Sequence, residues 1–149
     1  MKIFNLYHGE LEETADEPGF RSRATTIGPK LGARLLGMTV YELGDAERIC
    51  PYHFHWGSEE FLIVLEGQPM VRTPDGEQKL QPGDVMLFPI GPDGAHSVSG
   101  PAKVAMMSNE GMQLDVTEYP DSEKVGLWSE QGKFLIRRGA PVEYFDGEL

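Results

Sequence analysis

Short apolar segments separated by glycine- and proline-containing turns run along most of the 149-residue chain. Segments this short, at regular spacing, are typical of strands and favour a closed double-sheet barrel with little helix. Residues 1–30 are predicted to form an arm with one helical turn at 12–15. The predicted strands are residues 35–43, 53–55, 60–66, a hairpin across 68–80, 85–88, 96–99, 103–108, 112–119 and an extended segment at 133–138.

The segment 60–66 is apolar on both faces, because successive side chains of a strand point to opposite sides. Leu62 and Val64 share a face with Glu60, and the other face carries Phe61, Ile63 and Leu65. One face would line the barrel interior, and the other needs a cover from the N-terminal arm or from another subunit. Intrachain cover is the simpler alternative. We favour a homodimer, because a two-fold interface is the commonest oligomeric arrangement.

The length and composition predict one domain over residues 1–149, with an arm at 1–30, a barrel at 31–119 and a C-terminal extension at 120–149. A chain of this length buries roughly 70% of its unfolded surface and needs no metal or disulfide to fold. No apolar run approaches the ~20 residues of a membrane span. Cytoplasmic location is expected, because the N-terminus lacks a signal-peptide pattern and Cys50 is the single cysteine.

The net charge of −11 argues against nucleic-acid binding, because the phosphate backbone would be repelled. The basic residues occur in small groups rather than in a long run. Arg34, Arg72 and Lys124 could anchor an anionic ligand, or they could be isolated surface charges.

Three of the four histidines and one carboxylate have the spacing of a metal site. In an extended strand His53 and His55 point to the same side, and a short turn at 56–58 can bring Glu60 beside them. Imidazole and carboxylate ligands suit one divalent transition metal ion, with no strong choice among Fe, Mn, Co, Ni, Cu and Zn.

The residues around these histidines carry a family resemblance. Residues 53–67 resemble the first cupin motif, in which two histidines precede a glutamate and, after six residues, a glycine. Counting back from Gly67 selects Glu60, and Glu59 would then point outward. Residues 83–91 resemble the second cupin motif, which makes His96 the expected last ligand.

The resemblance is to small single-domain bacterial cupins and implies an all-β cupin double-stranded β-helix, or jelly-roll barrel. Three departures affect the loops at the rim of the pocket. Glu47 stands where the first motif usually opens with glycine, and Gly100 replaces a common asparagine. Four residues, 92–95, separate Gly91 from His96 where the family usually has two.

Other chemically capable residues have ordinary explanations. His8 has no partner at ligand spacing. Cys50 could ligate a soft metal as a thiolate, although an inert buried thiol is the simpler interpretation. Glu42, Glu66 and Asp115 could reach the cavity only if the register of their strands pointed them there.

Two classes of function therefore remain. One is a metal-dependent enzyme that acts on a small oxygenated molecule, with dioxygenase-like or sugar-isomerase-like chemistry. The alternative is a non-catalytic, metal-dependent module that binds or senses a small molecule. The sequence identifies no catalytic residue beyond the predicted ligands.

Overall fold

The computed structural model describes residues 1–109, 114–129, 132–139 and 146. The strands within these ranges are β1 Glu13–Ala15, β2 Ser22–Thr26, β3 Leu36–Leu43, β4 Phe54–His55, β5 Glu60–Gly67, β6 Met70–Thr73, β7 Gly76–Lys79, β8 Val85–Phe88, β9 Ser97–Ser99, β10 Ala102–Asn109, β11 Leu114–Tyr119, β12 Lys124–Ser129 and β13 Gly132–Arg137. One short helix, α1 Ile27–Leu31, and two 3-10 turns, Pro92–Gly94 and Pro120–Ser122, accompany them.

The strands form antiparallel sheets that enclose one apolar interior. A six-stranded sheet has the order β1-β2-β3-β10-β5-β8, a four-stranded sheet has the order β13-β12-β11-β4, and a three-stranded sheet has the order β7-β6-β9. The interior cluster consists of Leu62, Val64, Val71, Leu80, Phe88, Val98, Ala102 and Val104. The all-β jelly-roll prediction is confirmed, and the two cluster members from β5 come from the same face as Glu60.

The N-terminal arm covers part of the outer face of the six-stranded sheet. A second cluster joins Leu11 of the arm and Ile27 of α1 to Val40, Leu65 and Ala105 of the sheet. The intrachain alternative thus accounts for this part of the outer face.

A row of apolar side chains on the same sheet lies beyond the part that the arm covers. Phe61 of β5 is paired with Leu87 of β8, and Val85 lies beside Ile63 two residues along. Phe61, Val85 and Leu87 are 38%, 59% and 45% exposed. A further subunit could bury this row.

One prediction of local structure is wrong, and one strand was not predicted. Residues 12–15 do not form a helical turn, because Glu13–Ala15 pairs with β2 as an edge strand. The helix of the arm is α1 instead, which ends at Gly32 in the left-handed conformation (φ 85°). The extension contains an unpredicted strand, β12, which lies between β11 and β13. The structure of both segments depends on pairing with neighbouring strands, which the local propensity of their residues does not reveal.

The remaining strands agree with the predictions to within a few residues. The hairpin of β6 and β7 turns at Pro74 and Asp75, and Gly76 has φ 119°. Residues 112 and 113 of the predicted strand 112–119 lie outside the described residues. Among those described, no helix is long and apolar enough to cross a bilayer. The single-domain division and the cytoplasmic location stay predictions.

Candidate metal centre

Backbone pairing brings the predicted ligands together from distant parts of the chain. His53 and His96 form an isolated antiparallel bridge, in which each backbone N–H donates to the other's carbonyl (3.1 and 2.8 Å). His55 lies in β4, and Glu60 begins β5. Ligand atoms of His53, Glu60 and His96 all lie within 4.8 Å of one another. His55 is not in this group of three, although its Nε2 is 3.4 Å from Oε2 of Glu60.

Three buried polar atoms at the centre have no hydrogen-bond partner among the described residues. They are Nε2 of His55, Oε2 of Glu60 and Nε2 of His96. The Nε2 of His96 is 3.2 Å from the carboxylate oxygen. Leaving a buried polar group unsatisfied costs about 1–3 kcal/mol, so three converging atoms of this kind need an explanation. A divalent cation bound between them would satisfy all three, and the residues present therefore fit a metal ion.

Hydrogen bonds on the far side of each ring orient the three imidazoles. Nδ1 of His53 lies 2.9 Å from the carbonyl oxygen of Pro51, and Nδ1 of His96 lies 2.9 Å from that of Gly94. A carbonyl only accepts, so both Nδ1 atoms donate and leave a lone pair on Nε2. Outer partners of this kind hold metal-ligating histidines in the correct tautomer.

Asp115 supplies the corresponding partner for His55. Its Oδ2 accepts from Nδ1 of His55, and its Oδ1 accepts from the backbone N–H of Gly57 at 3.1 Å. The hydroxyl of Thr117 lies 3.2 Å from the same Nδ1. The sequence indicated Asp115 only as a residue dependent on register, and the pairing of Thr117 with His55 brings it to the centre.

The other two carboxylates in that group do not reach the centre. Glu42 and Glu66 are both exposed to solvent. Asp115 is therefore the member of the three that the strand register turns inward.

The electrostatics of the centre favour a bound positive charge. Burial would raise the pKa of Glu60, but its contacts with His55 and His96 outweigh burial and hold that pKa well below its usual range. Burial would lower the pKa of His55, but Asp115 and Glu60 raise it to about 9. Burial and the neighbouring His96 lower the pKa of His53 to about 4. A metal ion would take the place of the proton on Nε2 of His55, because one lone pair cannot hold both.

Cys50 and His8 behave as their ordinary explanations predict. The Sγ of Cys50 is 3.4 Å from Nδ1 of His53, but burial raises the pKa of the thiol and keeps it neutral. A neutral thiol is a poor metal ligand. The side chain of His8 is exposed on the arm.

The departures from the cupin motifs have structural explanations. The longer loop before His96 forms the 3-10 turn Pro92–Gly94, and its last carbonyl is the acceptor for His96. A Cβ at Gly94 would lie 1.8 Å from the carbonyl oxygen of Pro89, so only glycine fits there. Similarly, a Cβ at Gly100 would lie 2.3 Å from the carbonyl oxygen of Gly44.

The third departure, Glu47, connects the arm to the barrel. Its carboxylate accepts from the backbone N–H of Arg21 at 2.9 Å and from the guanidinium of the same residue at 3.2 Å. Glu47, at the start of the first motif, therefore holds the arm against the barrel and lies away from the predicted metal ligands.

Aromatic rings form the walls around the histidines. Phe88 stacks on His96 with ring centroids 3.7 Å apart, and Tyr119 stacks on His53 at 5.8 Å. Burial raises the pKa of Tyr119 to about 12, and it likewise raises that of Tyr41 to about 12. Both phenols are therefore protonated hydrogen-bond donors at neutral pH.

Comparison with known proteins identifies the domain that contains the site. A family model described as the cupin domain matches residues 39–108, which include all four predicted ligands. Residues 39–108 of the chain are a cupin domain. The resemblance seen in the motifs is thereby confirmed. A search among curated proteins finds no match.

Solved structures with the same fold are similar to this cupin over most of their length. A sugar phosphate isomerase of the cupin superfamily from Silicibacter pomeroyi is 20% identical with a TM-score of 0.77, covering 96% of this chain and 98% of its own. A protein from Acidithiobacillus ferrooxidans, named provisionally as a sugar phosphate isomerase, is 23% identical with a TM-score of 0.73. The match covers 85% of this chain and 84% of that protein. A cupin-like protein from Thermotoga maritima is 17% identical with a TM-score of 0.53, covering 68% and 79%. At these identities the likeness establishes the fold.

Proposed function

We propose that this cupin is a metal-dependent enzyme that holds one divalent transition metal ion with His53, His55, Glu60 and His96. The observation that carries the proposal is the convergence of Nε2 of His55, Oε2 of Glu60 and Nε2 of His96, all buried and unpartnered among the described residues. His53 joins them, because its Nδ1 donates to a backbone carbonyl and its Nε2 keeps a lone pair, which only the neutral thiol of Cys50 approaches, at 4.0 Å, among the described residues. The donor set suits Fe, Mn, Co, Ni, Cu or Zn without selecting one of them.

The proposed substrate is a small oxygenated molecule, and the proposed reaction is of the sugar-isomerase type. Four protein ligands leave about two positions on an ion that prefers six, and a divalent cation there supplies Lewis-acid polarisation of a carbonyl or hydroxyl oxygen. Two of the similar structures are named as sugar phosphate isomerases, one of them provisionally. The chain's own contribution is the set of oriented ligands and the protonated phenol of Tyr119 beside His53.

Isomerisation of a sugar can be tested without knowledge of the natural substrate. The protein loaded with Mn²⁺ or Fe²⁺ is expected to interconvert an aldose and a ketose without consuming dioxygen. Proton NMR in deuterated water measures the conversion. The Glu60→Ala variant is expected to lose this activity, because the carboxylate ligand is gone, whereas the Glu59→Ala variant is expected to keep it. Glu59 is the matched control, since it is the adjacent glutamate and its side chain is exposed.

Two results would redirect the proposal. Dioxygen uptake with a diol or enol, measured at an oxygen electrode, would favour dioxygenase-like chemistry at the same centre. If azide, acetate and small chelators leave the spectrum of every metal-loaded form unchanged, the ion has no open position. A non-catalytic binding or sensing module would then be the better account.

We also propose that the active form is a homodimer that buries the exposed row of Phe61, Val85 and Leu87. The wild-type protein is expected to have about twice the 16.6 kDa mass of one chain in light scattering. The Leu87→Lys variant is expected to shift toward the single-chain mass, because a buried unpaired charge is costly at an interface. The Gln78→Lys variant adds the same charge at an exposed position of β7 and is expected to stay dimeric. A wild-type mass of one chain at all micromolar concentrations would contradict the dimer.

A further inference from the structure

Two cations face each other at the outer end of the four-stranded sheet. Lys124 begins β12 and pairs directly with Arg137 in β13, so both side chains lie on the same face of the sheet. Like charges directly opposite each other destabilise an antiparallel pair. An anion bound between them would convert this repulsion into attraction.

The carboxylates that the structure describes near this pair form no ion pair with either cation. Two of the three nearby acidic groups are occupied, since Arg72 pairs with Asp121 and Arg138 pairs with Glu118. The third, Glu123, is exposed and forms no ion pair with a described residue. Over the part of the chain that the structure describes, no ion pair involves Lys124 or Arg137. Two adjacent cations without an ion pair to any described residue stand out in a chain whose net charge is −11.

The turn Pro120–Ser122 adds unused hydrogen-bonding capacity beside the pair. One guanidinium nitrogen of Arg137 donates to the carbonyl oxygen of Ser122 at 3.3 Å, which leaves the other donors of the guanidinium free for a ligand. The hydroxyl of Ser122 is buried and, within the described ranges, has no hydrogen-bond partner. An acceptor bound at the turn would satisfy it.

The pair lies on the face of the sheet that carries the metal centre. Lys124 is paired with Tyr119 of β11, and that face of β11 also carries Asp115 and Thr117, both in contact with His55. The ammonium of Lys124 is 5.1 Å from the ring centroid of Tyr119, and that ring is 5.8 Å from the ring of His53. The ammonium is therefore at most about 11 Å from the His53 ring.

We propose that Lys124 and Arg137 form a phosphate subsite for a phosphorylated sugar whose carbonyl and hydroxyl oxygens reach the metal centre. The inference rests on the proposed function, which it deepens by naming the substrate class. A guanidinium binds phosphate through two parallel hydrogen bonds, and the lysine adds a compact positive charge. The sugar chain then passes over the ring of Tyr119, and an unphosphorylated sugar, diol or enol leaves the two cations unpaired.

Inorganic phosphate is the probe for this subsite, and Lys124→Glu is the informative variant. Glutamate opposite Arg137 creates an attractive cross-strand pair, so the variant is expected to fold and to melt at or above the wild-type temperature in phosphate-free buffer. Calorimetric titration of the metal-loaded proteins measures their affinity for phosphate. The affinity of Lys124→Glu is expected to be at least about tenfold below that of the wild type, because one charged contact is lost and a repulsive one is introduced. Phosphate should raise the melting temperature of the wild type and leave that of the variant unchanged.

Lys79→Glu is the matched control, since it makes the same change of charge at an exposed position of β7. Its phosphate affinity is expected to equal that of the wild type. The subsite would be overturned if Lys124→Glu bound phosphate as tightly as the wild type, or if the wild type bound no phosphate. Either result would overturn it even if the protein carries its full metal content. Phosphate binding that depends on Lys124 in a protein that purifies without metal would support the subsite and overturn the proposed metal-dependent function instead.

Discussion

The His53→Ala/His55→Ala double variant is expected to purify with background metal, whereas the wild type is expected to carry one equivalent. Removing both imidazoles leaves Glu60 and His96, and two ligands do not hold a divalent ion against dilution and chelators. Elemental analysis of the purified proteins measures the difference. After a chelator has removed the metal, added Mn²⁺ or Zn²⁺ should stabilise the wild type by about 2.7 kcal/mol at a hundredfold excess over the Kd, seen as a higher melting temperature, and should not stabilise the variant.

The double variant should remain folded, because the interior cluster around Leu62, Val71 and Val104 does not depend on the ion. Its far-ultraviolet circular dichroism is therefore expected to match that of the wild type. His8→Ala is the control, since it removes an exposed imidazole of the arm and should leave the metal content at one equivalent. A full equivalent of metal in the double variant would show that the ion binds elsewhere.

The Asp115→Ala variant is expected to bind the metal about 10–100-fold more weakly than the wild type, although Asp115 is not among the proposed ligands. The carboxylate accepts from Nδ1 of His55 and from the backbone of Gly57, so it sets both the tautomer and the position of the ring. Competition with a fluorescent chelator measures the affinity. The proton NMR signal of the His55 Nδ1–H is expected to disappear with the carboxylate, which a purely structural contribution would not explain.

Asp115→Asn separates the hydrogen bond from the charge. The amide oxygen can still accept from His55, so the affinity is expected to lie between those of the wild type and Asp115→Ala. Glu66→Gln removes one negative charge at an exposed position of β5 and should leave the affinity unchanged. Wild-type affinity in Asp115→Ala would exclude a role for Asp115 in orienting His55.

Much of the barrel could be predicted because its strands and turns are encoded by residues that are close together in the sequence. The alternation of apolar residues in 60–66 predicts both the strand and its two apolar faces, and the segment Thr73-Pro74-Asp75-Gly76 predicts the hairpin of β6 and β7. The choice of Glu60 over Glu59 also follows from alternation combined with motif spacing. The structure places Glu60 at the centre and leaves Glu59 exposed.

The sequence by itself determined the class of fold and the predicted ligand set, since a period of two and a motif spacing are properties of neighbouring residues. Only the tertiary structure decided that the arm covers the outer sheet, that β12 lies between β11 and β13, and that Asp115 rather than Glu42 or Glu66 supports a histidine. The same holds for Lys124, which the sequence gives no reason to place opposite Arg137. Each of these outcomes depends on the register between strands, and a shift of one residue would turn every side chain to the other face.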